Sequence, residues 1–240
     1  HLLVEKPIAA NVKDAESICN KAKSSEIVLA VGHVERHNPV IQIAKKLIEN
    51  GSWGDLITLS SRRVSNFPER IHDVGVLFDL LIHDLDISSY LVDSRVNSVY
   101  AVGGSKKAEH EDYVNVLLNH DSSTVSMCEA NWLTPMKIRK LGITTLSHYI
   151  ELDYQEQSIR TFESQYKEFN KGNMFASKFE INPKQISVNK KEPLLLELID
   201  FLSAVKENTS PLVTGEEATD VVKISEAALT SLNIKRAIQL

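Results

Sequence analysis

The sequence predicts two architectures in succession: the end of an α/β unit, then a domain built on a large open, mainly antiparallel sheet with helices on one face. Three observations predict it. Short apolar runs at residues 2–4 and 27–31 flank a helical pattern, as in a parallel βαβ unit. From residue 96 onward, short alternating segments follow one another, the pattern of antiparallel strands. Two helical stretches, residues 192–206 and 216–240, close the chain and can cover one face of that sheet.

Taken in order, residues 2–4 read as a buried strand closed by Glu5-Lys6-Pro7. Residues 11–24 read as a helix with Asn11 as N-cap and an apolar stripe of Ala15, Ile18, Cys19 and Ala22. A strand at 27–31 ends at Gly32, and a polar turn runs from Gly32 to Pro39. A helix at 40–49 stops at Asn50-Gly51. Residues 55–65 alternate like a strand and 66–75 form an irregular polar loop. A helix at 75–91 comes next. Strands then follow at 96–102, 113–119, 124–132, 137–144, 148–154 and 158–162, with a hairpin turn at His120-Asp-Ser-Ser. Residues 170–189 are poorly patterned and read as a long loop or short strands. Pro193 opens the first closing helix at N1.

The bulk properties narrow the function classes. A chain of 240 residues holds one large domain, or one domain and part of another. A hydrophobic fraction of 42% is ordinary for a globular protein with a real core. A net charge of −5 gives no general attraction to nucleic acid or membrane surfaces, and no partner of either kind is expected. No run reaches the ~18 apolar residues of a membrane span. Cys19 and Cys128 stand far apart without a C-x-x-C pattern, and both are expected as thiols of a cytoplasmic protein. The chain opens directly on an apolar strand, so part of a fold is expected to precede it.

The most informative stretch is residues 75–91, GVLFDLLIHDLDISSYL. Asp79, His83 and Asp86 are four and three apart and share one stripe of an α-helix that is otherwise apolar. A buried polar stripe must be paired or useful. Oxidising an alcohol needs a base for the hydroxyl proton while hydride leaves the carbon, and a neutral imidazole suits that role near pH 7. His83 is therefore the candidate base. Asp79 can orient its ring or hold a second hydroxyl, and Asp86 is expected to brace the helix against its neighbours. A satisfied buried His–Asp pair is the alternative. A Zn²⁺ or Mn²⁺ reading of the stripe lacks any supporting His or Cys cluster, so no metal is expected.

Other residues are candidates with alternatives. Lys6 sits where α/β units bind ligands, at the carboxyl end of a strand, and can hold a substrate oxygen; a surface lysine before a turn proline is the other reading. Arg36, within His33-Val-Glu-Arg-His-Asn38-Pro39, and Arg63 and Arg70, within RVSNFPER, bring cations near the stripe. Arginines bind phosphate in bidentate fashion; a solvated loop is the alternative. The junction Trp132-Leu-Thr-Pro-Met-Lys137-Ile-Arg139 reads equally as a packed tryptophan at a strand end. Gly103-Gly104-Ser105-Lys106 lacks the spacing of a phosphate loop.

Together these motifs resemble the glucose-fructose oxidoreductase/inositol dehydrogenase/rhizopine-catabolism family of nicotinamide-dependent sugar oxidoreductases. The resemblance rests on VEKP (Val4 to Pro7), the R-x-x-P turn (Arg36 to Pro39), the D-x-x-x-H pair (Asp79 to His83) and the closing GEEA helix from Gly215. It implies a Rossmann dinucleotide-binding domain, of which residues 1–36 are the tail, and a substrate-binding and oligomerisation domain at 37–240. It implies NAD or NADP as cofactor, contacted by Glu5, Lys6, Pro7 and Arg36, with Pro7 beside a cis bond. Lys6, Asp79 and His83 are implied as the catalytic residues, with Lys6, Arg63, Arg70, Asp79 and His83 against the substrate. A homo-oligomer, dimer or tetramer, through the open sheet is also implied. The run from Arg62 to Asp86 is most similar to nucleotide-sugar 3-dehydrogenases acting on UDP-N-acetylglucosamine, with Arg63 and Arg70 facing the diphosphate. A free polyol dehydrogenase of the inositol type is the alternative substrate class. A non-catalytic sugar-binding scaffold is the alternative if the dinucleotide fingerprint G-x-G-x-x-G, which these residues do not contain, has no place upstream.

Overall fold

The computed structural model describes residues 1–68, 73–168 and 178–240. Two sheets organise it. Strands β1 (Leu2–Glu5) and β2 (Leu29–Gly32) pair in parallel, with Glu5 opposite Gly32 at the end of the ladder. Helix α1 (Val12–Ser24) joins them, and the Asn11 side chain caps it by accepting from the Asp14 amide at 2.9 Å. The second sheet has nine strands in the order β10-β9-β8-β7-β3-β6-β5-β4-β11. These are β3 (Leu56–Val64), β4 (Val96–Gly104), β5 (Tyr113–His120), β6 (Val125–Asn131), β7 (Ile138–Thr145), β8 (His148–Asp153), β9 (Ser158–Glu168), β10 (Lys178–Ile186) and β11 (Ile238–Gln239). Only β3 and β6 run parallel; every other neighbouring pair is antiparallel.

Alternation along the strands sends one set of side chains into the core and the other to solvent. Helices α2 (Pro39–Glu49) and α3 (Ile82–Val92) cover β3 and β7 to β9 through Ile41, Leu59, Ile87, Leu91, Ile143 and Ile150, all at most 1% exposed. Helix α5 (Gly215–Ile234) and α3 cover β4 to β6 through Leu85, Val114, Leu118, Ala130, Val221 and Ala228. Each such leucine, isoleucine or valine side chain contributes roughly 1.5–3 kcal/mol by leaving water. The opposite face of the sheet keeps Tyr100, Val102, Met127 and Tyr149 exposed. Helix α4 (Pro193–Glu207) also leaves an apolar face open at Leu194, Leu195, Leu198, Ile199 and Leu202.

Four local outcomes differ from the sequence reading. The helix expected over 75–91 begins with a π turn, Leu77–Leu81, before α3 proper. Its start is held by Glu111, whose carbonyl and carboxylate accept from the Val76 and Leu77 amides at 2.8 and 3.2 Å. Gly75 makes room for that carboxylate, which any Cβ there would strike. The polar turn after β2 is a 3₁₀ turn, Val34–His37, and it is buried rather than solvated. Residues 178–186 form a full strand paired with β9. The closing helix ends at Ile234, because Lys235 takes a left-handed conformation (φ 58°) and turns the chain back as edge strand β11 against β4.

Candidate active site

The residues at the carboxyl end of β1 lie against the π turn. The Lys6–Pro7 peptide is cis. The Lys6 ammonium donates to the Asp79 carbonyl at 2.5 Å and lies 3.6 Å from the Asp79 carboxylate. The Phe78 carbonyl is a longer acceptor at 3.5 Å. A π turn carries more residues per turn than an α-helix and recurs at functional sites; here its main-chain carbonyls are what receive the lysine. Burial lowers the Lys6 pKa, opposed by the Asp79 carboxylate and by Glu5, with Arg63 lowering it further.

His83 follows on the first turn of α3. Its Nδ1 is buried and has no hydrogen-bond partner. Burial drives its pKa well below the ordinary histidine value, and the charges of Arg63, Lys6, His33 and Arg139 push the same way. The ring is thus a neutral imidazole at physiological pH, with a lone pair available for a proton. The Asp79 carboxylate serves Lys6, not the imidazole. The structure therefore brings Lys6 onto Asp79 and within electrostatic reach of His83.

Two of the expected ligand arginines are committed elsewhere. Arg36 is 2% exposed. Its Nε and Nη2 donate to the Asp86 carboxylate at 3.0 and 2.7 Å, and its Nη1 donates to Glu217 at 2.7 Å. Its guanidinium also stacks 4.8 Å over Tyr90. Glu217 is the N3 residue of a capping box with Thr214, so this pair ties the start of α5 to the 3₁₀ turn. Arg63 is 1% exposed. Its Nε donates to Asp84 at 2.6 Å and its Nη1 to Glu35 at 2.7 Å, and it lies 5.1 Å from the Tyr154 ring. Burial disfavours its charge, but Asp84 and Glu35 more than offset this and keep it protonated. In this structure both guanidinia are held by carboxylates, where the sequence reading sets Arg36 against the cofactor and Arg63 against the substrate. Both instead anchor α3: Asp86 braces it to the 3₁₀ turn as expected, and Asp84, off the sequence stripe, braces it to β3. Arg70 lies outside the described residues.

Trp132 is packed, 2% exposed and edge-on to Phe67 at 5.7 Å. Arg139 stays partly exposed, 3.8 Å from Glu35, and adds positive charge near His83. Glu5 lies over Gly32, where a Cβ would meet its Oε2 at 3.0 Å. His33 was not singled out in the sequence; it follows Gly32 directly, is 1% exposed, and neither ring nitrogen has a partner. The β1–β2 ladder ends just before it, with Glu5 opposite Gly32. Among the described residues no group of three or more His, Cys, Asp or Glu is arranged to hold a metal ion.

Comparison with known proteins places this arrangement. Residues 41–148 match the GFO/IDH/MocA C-terminal domain. The chain is 24% identical to the UDP-N-acetylglucosamine 3-dehydrogenase of Acidithiobacillus ferrooxidans over 85% of its own length and 62% of that protein. The solved structure of that dehydrogenase superposes with a TM-score of 0.85 at 22% identity, covering 98% of this chain and 72% of that one. The myo-inositol 2-dehydrogenase of Thermotoga maritima is 25% identical over 100% of this chain and 72% of that protein. A levoglucosan dehydrogenase solved with NADH and L-sorbose superposes with a TM-score of 0.81 at 19% identity, over 100% of this chain and 73% of that one. The chain thus spans between three fifths and three quarters of these relatives, and its residues 41–148 are similar to the GFO/IDH/MocA C-terminal domain.

Proposed function

We propose that the chain is the substrate-binding part, with the tail of the dinucleotide-binding part, of an NAD(P)-dependent dehydrogenase acting on a sugar hydroxyl. The observation that carries the reading is Lys6, at the carboxyl end of a parallel strand pair, held on the π turn that leads into His83. Residues 1–36 then belong to the dinucleotide-binding domain and residues 37–240 to the substrate domain; the separate two-stranded parallel sheet supports that division.

NAD or NADP, when bound, supplies the hydride acceptor. Glu5, Lys6 and Pro7, at the end of β1, are the residues that would meet the nicotinamide. The chain's own residues do the rest. Lys6 holds the reacting oxygen through its ammonium, and Asp79 fixes that ammonium in place. His83, neutral, takes the hydroxyl proton on a ring nitrogen. The surrounding cations disfavour the imidazolium, so the proton is passed on to solvent after transfer.

The favoured substrate is a nucleotide sugar of the UDP-N-acetylglucosamine kind, oxidised at its 3-position. The similarity to the Acidithiobacillus enzyme supports it, and the inositol dehydrogenases keep a free polyol as the competing class. The exposed apolar residues on the open sheet face support a homo-oligomer through that face. No helix among the described residues is long and apolar enough to cross a membrane, and both cysteines are free thiols, which supports a cytoplasmic setting. The test is cofactor reduction by the full-length protein against a panel of UDP-sugars and polyols. Reduction with UDP-N-acetylglucosamine above all others is expected; reduction with none of the panel would contradict the reading.

A further inference from the structure

Two cations at the start of β7, Lys137 and Arg139, take no part in holding Asp79 or α3. Arg139 pairs in register with Arg63 of β3. Residues opposite each other on neighbouring strands send their side chains to one face of the sheet. Arg63 meets Asp84 of α3 there, so Arg139 lies on the face that α3 covers. Lys137 comes two residues earlier in the chain, and the Arg139 guanidinium is the strongest influence on its ammonium.

Neither cation is satisfied within the chain. The Arg139 side chain is 32% exposed, and its ion pair with Glu35 spans 3.8 Å. The same Glu35 oxygen receives Arg63 at 2.7 Å, and the other accepts from Asn38 at 3.3 Å. The acid is therefore committed to Arg63 and the 3₁₀ turn. Among the described residues Arg139 makes no side-chain hydrogen bond, and Lys137, exposed, makes no ion pair. Burial and Arg63 lower the Arg139 pKa, while Arg139, burial and Arg63 lower that of Lys137. Two like charges held side by side, with one acid that already serves another cation, form a site short of an anion. Both are open to solvent, so an anion can reach them.

The pair also borders the candidate active site. The Arg139 charge reaches His83, and the carboxylates of Asp79 and Asp84 reach Arg139. We propose that Lys137 and Arg139 form an anion clamp that binds the diphosphate of a nucleotide sugar whose sugar ring lies against His83. The inference rests on the dehydrogenase reading of Lys6 and His83 and deepens it, because it names what selects a nucleotide sugar over a free polyol. Arg139 offers phosphate oxygens a planar fork, and Lys137 adds a point charge beside it. A polyol carries no group for either.

The test is binding to the full-length protein, read by calorimetric titration, so it does not depend on turnover. UDP and UDP-N-acetylglucosamine are titrated into wild type, Lys137→Gln, Arg139→Gln and the double variant at low and high salt. Wild-type affinity for both is expected to fall as salt rises, as contacts between exposed charges do. Each single variant is expected to lose about 10-fold or more in affinity for UDP, as loss of a hydrogen bond between charged groups does. The double variant is expected to keep little salt dependence, with affinity for NAD or NADP unchanged. A wild type that binds no UDP overturns the proposal, as do single variants that both bind UDP within about 2-fold of wild type. Loss of cofactor affinity with UDP affinity kept overturns it too, since the clamp then serves the cofactor. Lys137 is exposed, so Lys137→Gln reads the same comparison should Arg139→Gln fail to fold. Cofactor reduction is scored separately: UDP held by the clamp without turnover of any sugar counts against the dehydrogenase reading, whereas turnover of a polyol by a wild type that ignores UDP counts against the clamp alone.

Discussion

Lys6 holds Asp79 twice, donating to its main-chain carbonyl at 2.5 Å and standing 3.6 Å from its carboxylate. One lysine at the end of β1 thus fixes both the backbone of the π turn and the acid it carries. The turn in turn leads into α3, whose Asp84 and Asp86 are clamped by Arg63 and Arg36. The candidate site is rigid because three segments distant in sequence are braced on one helix and the turn before it, which is how a catalytic group is kept within reach of a reacting atom.

Replacing Lys6 with methionine removes the hold on the reacting oxygen and on Asp79. Turnover of the full-length protein should fall by ~10²-fold or more, as misplacement at a reacting centre does. Stability should change little, because the Asp79 side chain is 22% exposed and water can take the place of the ammonium. Steady-state kinetics beside a thermal melt read both quantities. Unchanged kcat would contradict the role given to Lys6.

Arg63→Met separates anchoring from ligand binding. The variant leaves Asp84 and Glu35 buried without their cation. Breaking a buried pair from one side costs about 3–5 kcal/mol, and urea unfolding should show a loss of that size. Were Arg63 a diphosphate ligand, stability would hold and affinity for a UDP-sugar would fall instead.

Glu197 on α4 predicts a pH effect on stability. It is 3% exposed and both carboxylate oxygens lack a hydrogen-bond partner. Burial, with Glu5 and Asp200 nearby, raises its pKa to about 7. A pKa raised in the fold favours the protonated form, so its contribution is full below the ordinary glutamate value and is lost as pH rises toward 7. The melting temperature of Glu197→Gln should match wild type at pH 4.5 and exceed it at pH 8. About 2–4 °C is expected per kcal/mol for a chain of this size. Equal melting temperatures at pH 8 would show that the carboxylate is not disfavoured there.

The legible parts of this protein were those written as local pattern. Period-two alternation marked the strands, and Asn11, Asn50 and Pro193 marked helix ends through their own cap chemistry. The nine-strand order is set by long-range pairing, with β3 inserted between β6 and β7, and no local pattern carries it. Asp79 and His83 were visible from spacing, yet the π turn between Leu77 and Leu81 was not, because the same apolar residues suit either helix. The carboxylates that hold Arg36 and Arg63 were not legible, because a sequence shows the cation and not the acid that faces it. Residues 235–240 continued an apolar pattern, but the left-handed Lys235 ended the helix first.

The most direct measurement is the turnover of His83→Ala in the full-length protein, read as cofactor reduction with the preferred sugar and set beside cofactor affinity and melting temperature. Removing a general base costs ~10²-fold or more. A fall of that size, with affinity and melting temperature kept, is the result predicted from His83 as a neutral base beside Lys6. Turnover close to wild type in a folded His83→Ala protein would contradict it.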